Sequence, residues 1–213
     1  MSYPRWQGVF PAATTQLFED QSIDWKSQAT HLEALIDSGI HGLIMCGSLG
    51  ENQTLSPEEK RAVVKHAIEV SAGRVPVLSG VAEMSTAAAC DYVKDMEALG
   101  AAGTMVLPAM VYKADPRETM HHFRTVAAAS KLPIIAYNVP SRTVADISVE
   151  TLAEIAGHPK IVGIKDATGN LARVTAQRLA CGPDFCQLSG NDETALGFNA
   201  MGGRGCISVT ANV

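Results

Sequence analysis

No stretch of this 213-residue sequence approaches the roughly 20 consecutive apolar residues that a membrane-spanning helix needs. The opening Met1-Ser2-Tyr3-Pro4-Arg5-Trp6 has no apolar core of the secretory kind, so a cytoplasmic protein with no membrane partner is expected. Positive charge is also in short supply. Seventeen Lys and Arg stand against 22 Asp and Glu, a formal net charge of -5, and no basic stripe suits a phosphate backbone, which excludes nucleic acid as a partner. The cysteines number five, an odd count with no C-x-x-C pair, and support neither a disulfide framework nor a zinc site. They read as reduced, buried thiols, and no metal is expected. Neither G-x-G-x-x-G nor G-x-x-x-x-G-K-[ST] occurs, which excludes dinucleotide and P-loop cofactors at the motif level, and no cofactor is expected. His121-His122 lacks the H-E-x-x-H spacing and reads as a solvated pair on a helix surface.

What the sequence does contain is a repeated unit. Short runs rich in Val, Ile, Leu and Met begin at residues 8, 42, 75, 103, 134, 161, 186 and 205, and each of the first seven leads into a segment of helical period. The runs are apolar throughout rather than alternating, which suits parallel strands covered on both faces. Helix starts between them are well marked. Ser56-Pro57-Glu58-Glu59 supplies an N-cap, a proline at the first helical position and a capping-box acid, and Ser85 and Asp115-Pro116 open the next two helices. Eight βα units in a chain of this length predict a (β/α)8 TIM barrel, one domain over residues 1–213. The eighth run ends at Thr210-Ala211-Asn212-Val213, so the helix covering it is expected to be lacking.

In such a barrel the catalytic groups lie at the carboxyl ends of the strands. Lys165 lies within the sixth run, Ile161 to Ala167, where a charged ammonium facing an apolar wall is heavily penalised. It is therefore expected to face the barrel mouth as a neutral amine, the nucleophile that attacks a ketone to form an imine. A lysine snorkelling to solvent from a strand end is the competing explanation. Tyr137 ends the neighbouring fifth run, and a phenol beside the amine can carry the protons that imine formation moves, although a packed strand tyrosine is the commoner case. Pro140-Ser141-Arg142 then places a guanidinium at the rim, suited to a carboxylate. Gly47-Ser48-Leu49-Gly50-Glu51 forms a turn whose amides could converge on an anion, with the Ser48 hydroxyl a further donor beside Tyr137. Gly202-Gly203-Arg204-Gly205 precedes the eighth run and reads as a tight connection at the opposite face.

Three segments in order, Tyr137-Asn138-Val139-Pro140-Ser141-Arg142-Thr143, Ile164-Lys165-Asp166-Ala167-Thr168-Gly169-Asn170 and Leu188-Ser189-Gly190-Asn191-Asp192, resemble the dihydrodipicolinate synthase and N-acetylneuraminate lyase family of class I aldolases. The resemblance runs over essentially the whole chain. It implies Lys165 as the Schiff-base former, Tyr137 as proton relay, Gly47, Ser48 and Leu49 on the carboxylate of a small 2-oxo acid such as pyruvate, Gly190 and Ile207 against the bound substrate, and Arg142 on a second substrate's carboxylate. It also implies a homo-oligomer, dimer or tetramer, when full length. Against the family pattern the chain is expected to stop short of the last barrel helix and the helical segment after it. Two positions differ in a way that bears on substrate: Ser48 and Leu49 stand where the synthase usually has two threonines, and Pro108-Ala109-Met110-Val111-Tyr112 where it has a pair of tyrosines. Leu49 and Met110 have no hydroxyl to continue a proton relay. The expectation is thus a Schiff-base lyase acting on a hydroxylated 2-oxo acid, with 4-hydroxy-tetrahydrodipicolinate synthase as the alternative and a non-catalytic binding barrel as the reading from another class.

Overall fold

The computed structural model describes residues 6–109 and 112–213. Eight parallel strands form one sheet in the order β1-β8-β7-β6-β5-β4-β3-β2. They are β1 (Gly8–Pro11), β2 (Leu43–Met45), β3 (Val77–Val81), β4 (Gly103–Val106), β5 (Ile134–Asn138), β6 (Ile161–Asp166), β7 (Cys186–Ser189) and β8 (Gly205–Ser208). The ring closes between β1 and β2 through a single parallel bridge, Ala12 to Ile44, with Ala13 N donating to Ile44 O at 3.0 Å and His41 N to Val9 O at 2.8 Å. The chain is a (β/α)8 barrel, as its cadence predicts.

Helices α1 (Trp25–Asp37), α2 (Pro57–Ser71), α3 (Thr86–Leu99) and α4 (Pro116–Ala129) follow the first four strands. A one-turn α5 (Pro140–Thr143) and α6 (Val149–Ala156) follow β5, α7 (Ala172–Cys181) follows β6, and α8 (Ala195–Ala200) lies between β7 and β8. After β8 comes the 3-10 turn Thr210–Asn212. No helix among the described residues is long and apolar enough to cross a membrane. The predicted starts are built as capping rules require. Ser56 and Asp115 each accept from the third helical amide while Glu59 and Glu118 reach back to the cap amide, and Ser85 accepts from Ala88 N at 3.2 Å. The strands are shorter than their apolar runs because the chain turns as soon as it leaves the ladder: Cys46 adopts φ 50°, and Val209 starts the turn after β8.

Strand alternation divides the core into two shells. An outer shell of Leu43, Met45, Val77, Val81, Val106, Ile134, Ala136, Ile161 and Ile164 packs against the helices, including Val63, Val64, Val93, Phe123 and Val126. An inner shell fills the barrel, with Phe10, Ile44, Leu78, Met105, Ile135, Tyr137, Leu188 and Ile207. Gly205 (φ 152°) allows the closest approach in the ring, because a Cβ there would sit 2.0 Å from Gly8 O on β1. The histidine pair does not behave as expected. His121 is exposed, but His122 is buried, its Nδ1 bonded to Thr86 Oγ1 at 2.9 Å and its Nε2 to Leu107 O at 3.1 Å. One step along a helix turns a side chain by about 100°, so adjacent residues need not share a face.

The Asp115 box generates a stability test. Asp115→Ala should lower the urea denaturation midpoint at pH 7 with little effect on the catalytic cavity. An unchanged denaturation midpoint would show that α4 does not depend on its cap.

Candidate active site

At the carboxyl ends of the strands a cavity of about 490 Å³ opens, lined by Lys165 from β6, Tyr137 from β5, Gly47, Ser48 and Leu49 after β2, Arg142 on α5, and Gly190 after β7. Alternation along β6 sends Ile164 outward into the helix layer and Lys165 inward, where only 3% of it remains exposed. Its Nζ lies 4.2 Å from the centroid of the Tyr137 ring, its register partner across the β5/β6 pair. Burial, reinforced by the nearby Arg142 charge and only partly offset by Asp192, pulls the Lys165 amine down from 10.5 to about 7. A large fraction of it is therefore unprotonated and nucleophilic at neutral pH. Burial pushes the Tyr137 phenol up, with Arg142 opposing, so the group stays protonated and able to donate.

Arg142 is exposed at the rim, and among the described residues no side chain pairs with its guanidinium. The one-turn helix that carries it ends at Val144, a β-branched residue held at φ 60°, with Thr143 Oγ1 bonding Val139 O and Ala145 O to fix the turn. In the β2 turn, Glu51 and Asn52 donate back to Ser48 O and Gly47 O, while the amides of Ser48 and Leu49 meet no acceptor among the described residues. They are free donors beside the cavity, which suits a carboxylate. A Cβ on Gly47 would meet only Met105 Cε, at 3.9 Å, so the position is open toward the cavity. On Gly190 a Cβ would come within 2.7 Å of Ala167 Cβ and 3.1 Å of Lys165 Cε. Glycine at 190 thus keeps space for the lysine side chain.

Three positions differ from their sequence expectation or lie outside the described residues. Ile207 is fully buried in the inner shell and does not line the cavity, because inward positions on β8 lie in the filled barrel rather than at its mouth. Ser48 lines the cavity and is exposed, yet no hydrogen bond joins it to Tyr137 among the described residues. Tyr112 is 84% exposed beside a separate hollow with Met84, Thr86 and His122, away from Lys165. The expected gap in the hydroxyl chain at Met110 lies outside the described residues. Sequence reasoning also passed over Asp192, which lines the cavity and accepts from Val209 N at 3.0 Å and Thr210 N at 2.9 Å. Burial alone would raise its carboxyl, but hydrogen bonds from Thr210, Ser208 and Val209 outweigh that and hold it below its ordinary value. Its place two residues after Gly190, at the end of β7, was the available signal.

The family model for the dihydrodipicolinate synthetase family matches residues 5–213. The chain belongs to that family. It is 47% identical over 208 residues to the 4-hydroxy-tetrahydrodipicolinate synthase of Rhizobium meliloti, an alignment covering 97% of this chain and 71% of the relative. Among solved structures, a dihydrodipicolinate synthase from Bacillus anthracis superimposes with a TM-score of 0.96 at 31% identity, covering 100% of this chain and 72% of that one. The chloride-inhibited dihydrodipicolinate synthase of Acinetobacter baumannii, solved with pyruvate, gives 0.95 at 38% identity, covering 97% and 71%. Membership of the dihydrodipicolinate synthetase family makes this chain an enzyme, a lyase of the class I aldolase kind.

The depressed amine has a cost that the fold carries. Between about pH 7 and 10.5 the unfolded chain holds a proton on Lys165 that the folded chain has shed, so this group makes stability rise with pH across that window. Below it the burial cost is fully present. Lys165→Met should therefore raise the melting temperature by several degrees at neutral pH, with the gain fading as pH approaches 10.5. Calorimetry of both forms at a series of pH values checks this, and equal melting temperatures at pH 7 would contradict it.

Proposed function

We propose that this enzyme is a 4-hydroxy-tetrahydrodipicolinate synthase, condensing pyruvate with aspartate semialdehyde through an imine on Lys165. The observation that carries the reading is the buried, depressed amine facing Tyr137 in a cavity that also presents backbone amides and a guanidinium without partners among the described residues. The names of relatives at 47% identity favour the synthase over the broader set of hydroxylated 2-oxo acid lyases.

In this reading the pyruvate carboxylate rests on the amides of Ser48 and Leu49, with Gly47 leaving room for it, and the ketone carbon faces Lys165 Nζ. The amine adds to that carbon, and the resulting carbinolamine loses its oxygen as water to give the protonated imine. Tyr137 shuttles the protons of these two steps. The imine draws electrons from the adjacent methyl, which loses a proton to become an enamine carbon nucleophile. That carbon attacks the aldehyde while Arg142 holds the second substrate's carboxylate bidentately. The amino group of the second substrate then adds to the imine carbon and displaces the Lys165 amine, which closes the ring of the product and returns the lysine. The cavity of about 490 Å³ accommodates both small substrates. Homo-oligomerisation belongs to the same reading, and the 84% exposed Tyr112 and 68% exposed Met84 beside one hollow offer it an apolar contact.

A second reading stays open on one observation. Leu49, half-buried on the cavity wall, brings a methyl-rich surface where a hydroxyl would continue a relay, which favours a hydroxylated 2-oxo acid as substrate.

Incubation with pyruvate and borohydride should add one pyruvate-derived mass to the peptide containing Lys165, and the rate of trapping should climb as pH rises through about 7 and then level off. Lys165→Ala should abolish the adduct and turnover. Tyr137→Phe should slow turnover by roughly 10²- to 10⁴-fold while some trapping persists. An adduct on another lysine would sink the mechanism. Rapid turnover of a hydroxylated 2-oxo acid with negligible condensation of pyruvate and aspartate semialdehyde would replace the first reading by the second.

A further inference from the structure

The chemistry above uses the inward side chains of β5 and β6 and leaves unexplained what lies directly behind them. Asn138 and Asp166 follow Tyr137 and Lys165 in sequence and are register partners, so alternation turns both to the outer face of the barrel. Both are buried, at 0% and 4% exposure. Every oxygen of Asp166 is engaged. Its Oδ1 accepts from the Thr168 amide at 2.9 Å and hydroxyl at 2.6 Å, and its Oδ2 accepts from Gln177 Nε2 at 2.6 Å and Arg173 Nε at 3.0 Å. The same guanidinium donates through Nη2 to Ile147 O at 2.6 Å and through Nη1 to Asp146 Oδ2 at 3.4 Å. Asp146 Oδ1 in turn accepts from Asn138 Nδ2 at 2.8 Å, and Asn138 Oδ1 accepts from the Ile147 amide at 3.0 Å. A backbone bond from Ala167 N to Asn138 O, 2.9 Å, closes the circuit.

Burying two charges together rarely adds to stability, because a hydrophobic replacement of like volume is commonly as good or better. What a planar guanidinium with three separate acceptors supplies is direction: it fixes α7, the segment after α5 and the end of β6 relative to one another. We propose that Arg173 is a positioning residue for the imine chemistry, tying Asp166 to Asp146 and Ile147 so that Lys165 and Tyr137 stay apposed across the cavity. This role rests on the reading of Lys165 as the imine former. Because Arg173 lies behind the sheet and does not line the cavity, its substitution leaves every substrate contact in place and alters only the alignment of the groups that make them.

The test uses pyruvate alone. Borohydride trapping counts the Lys165 sites able to form an adduct, and exchange of the pyruvate methyl protons for solvent deuterium measures enamine formation. Their ratio gives exchange per competent site and corrects for any unfolded fraction. Arg173→Ala should lower that ratio by about 10- to 100-fold, the usual effect of a small misplacement of reacting groups, with KM for pyruvate within about twofold. Methylguanidinium at non-denaturing concentration should recover part of the loss, since the Arg173 side chain is still 14% exposed and its site open to solvent. Asp146→Ala, at a residue whose side chain is 49% exposed, should give a smaller loss in the same direction and serves if Arg173→Ala does not fold. Exchange per site equal to that of the unsubstituted enzyme in Asp146→Ala and in any folded Arg173→Ala would overturn the role. The absence of a Lys165 adduct in the unsubstituted enzyme would overturn the imine reading itself, and the positioning role with it.

Discussion

An amine kept out of water is the constraint on which the rest of this molecule depends. Lys165 is almost completely buried, and in that setting the charged form is penalised while the neutral form is free to react. Such a group needs a surrounding that is dry below and open above. The barrel provides this: the inner shell of Phe10, Ile44, Leu78, Met105, Ile135 and Leu188 fills the space beneath, and the strand ends open onto the cavity. Arg142, on α5, and Asp192, after β7, both line that cavity and act on the amine with opposite sign. The Asp192 carboxylate is pinned by the amides of Val209 and Thr210, and its charge is fixed in place rather than free to swing onto the lysine.

Much of this was legible in the amino-acid sequence, and the reason is physical. Each strand of a parallel barrel is covered on both faces, so it appears as an apolar run, and one lysine inside such a run stands out against the cost of burying it. The capping boxes at Ser56 and Asp115 were equally plain, because a cap is a local device that three or four adjacent residues complete among themselves. What escaped was non-local. Nothing in the spacing of Asp146, Asp166 and Arg173 announces that they share a guanidinium, since their meeting depends on how the segment after α5 lies against α7. His122 is hidden from such reading for a related reason: one of its partners, Thr86, lies on α3 in the preceding unit of the barrel, and the other, Leu107, lies after β4, 15 residues away along the chain. Ile207 was carried to the substrate by family resemblance, whereas its depth within β8 puts it in the barrel filling.

The two faces of β6 show how one strand serves two purposes without conflict. Inward it offers a single reactive group with no ion-pair partner among the described residues, and outward it offers a carboxylate saturated with donors. The unsatisfied group is exposed to chemistry and the satisfied one is sealed behind it. A parallel strand can separate roles in this way because successive side chains never share a face.

The closure of the ring has a mechanical side. All of β5 is paired with β6, across one bulge at Val162, whereas among the described residues β1 and β2 meet through one bridge. In a ring of eight these two seams lie opposite each other. A closed loop is weakest where it is least bonded, and in this barrel that place is the β1/β2 seam. The amine and phenol thus sit on the seam across the ring from the weakest one, like links set opposite the clasp of a bracelet.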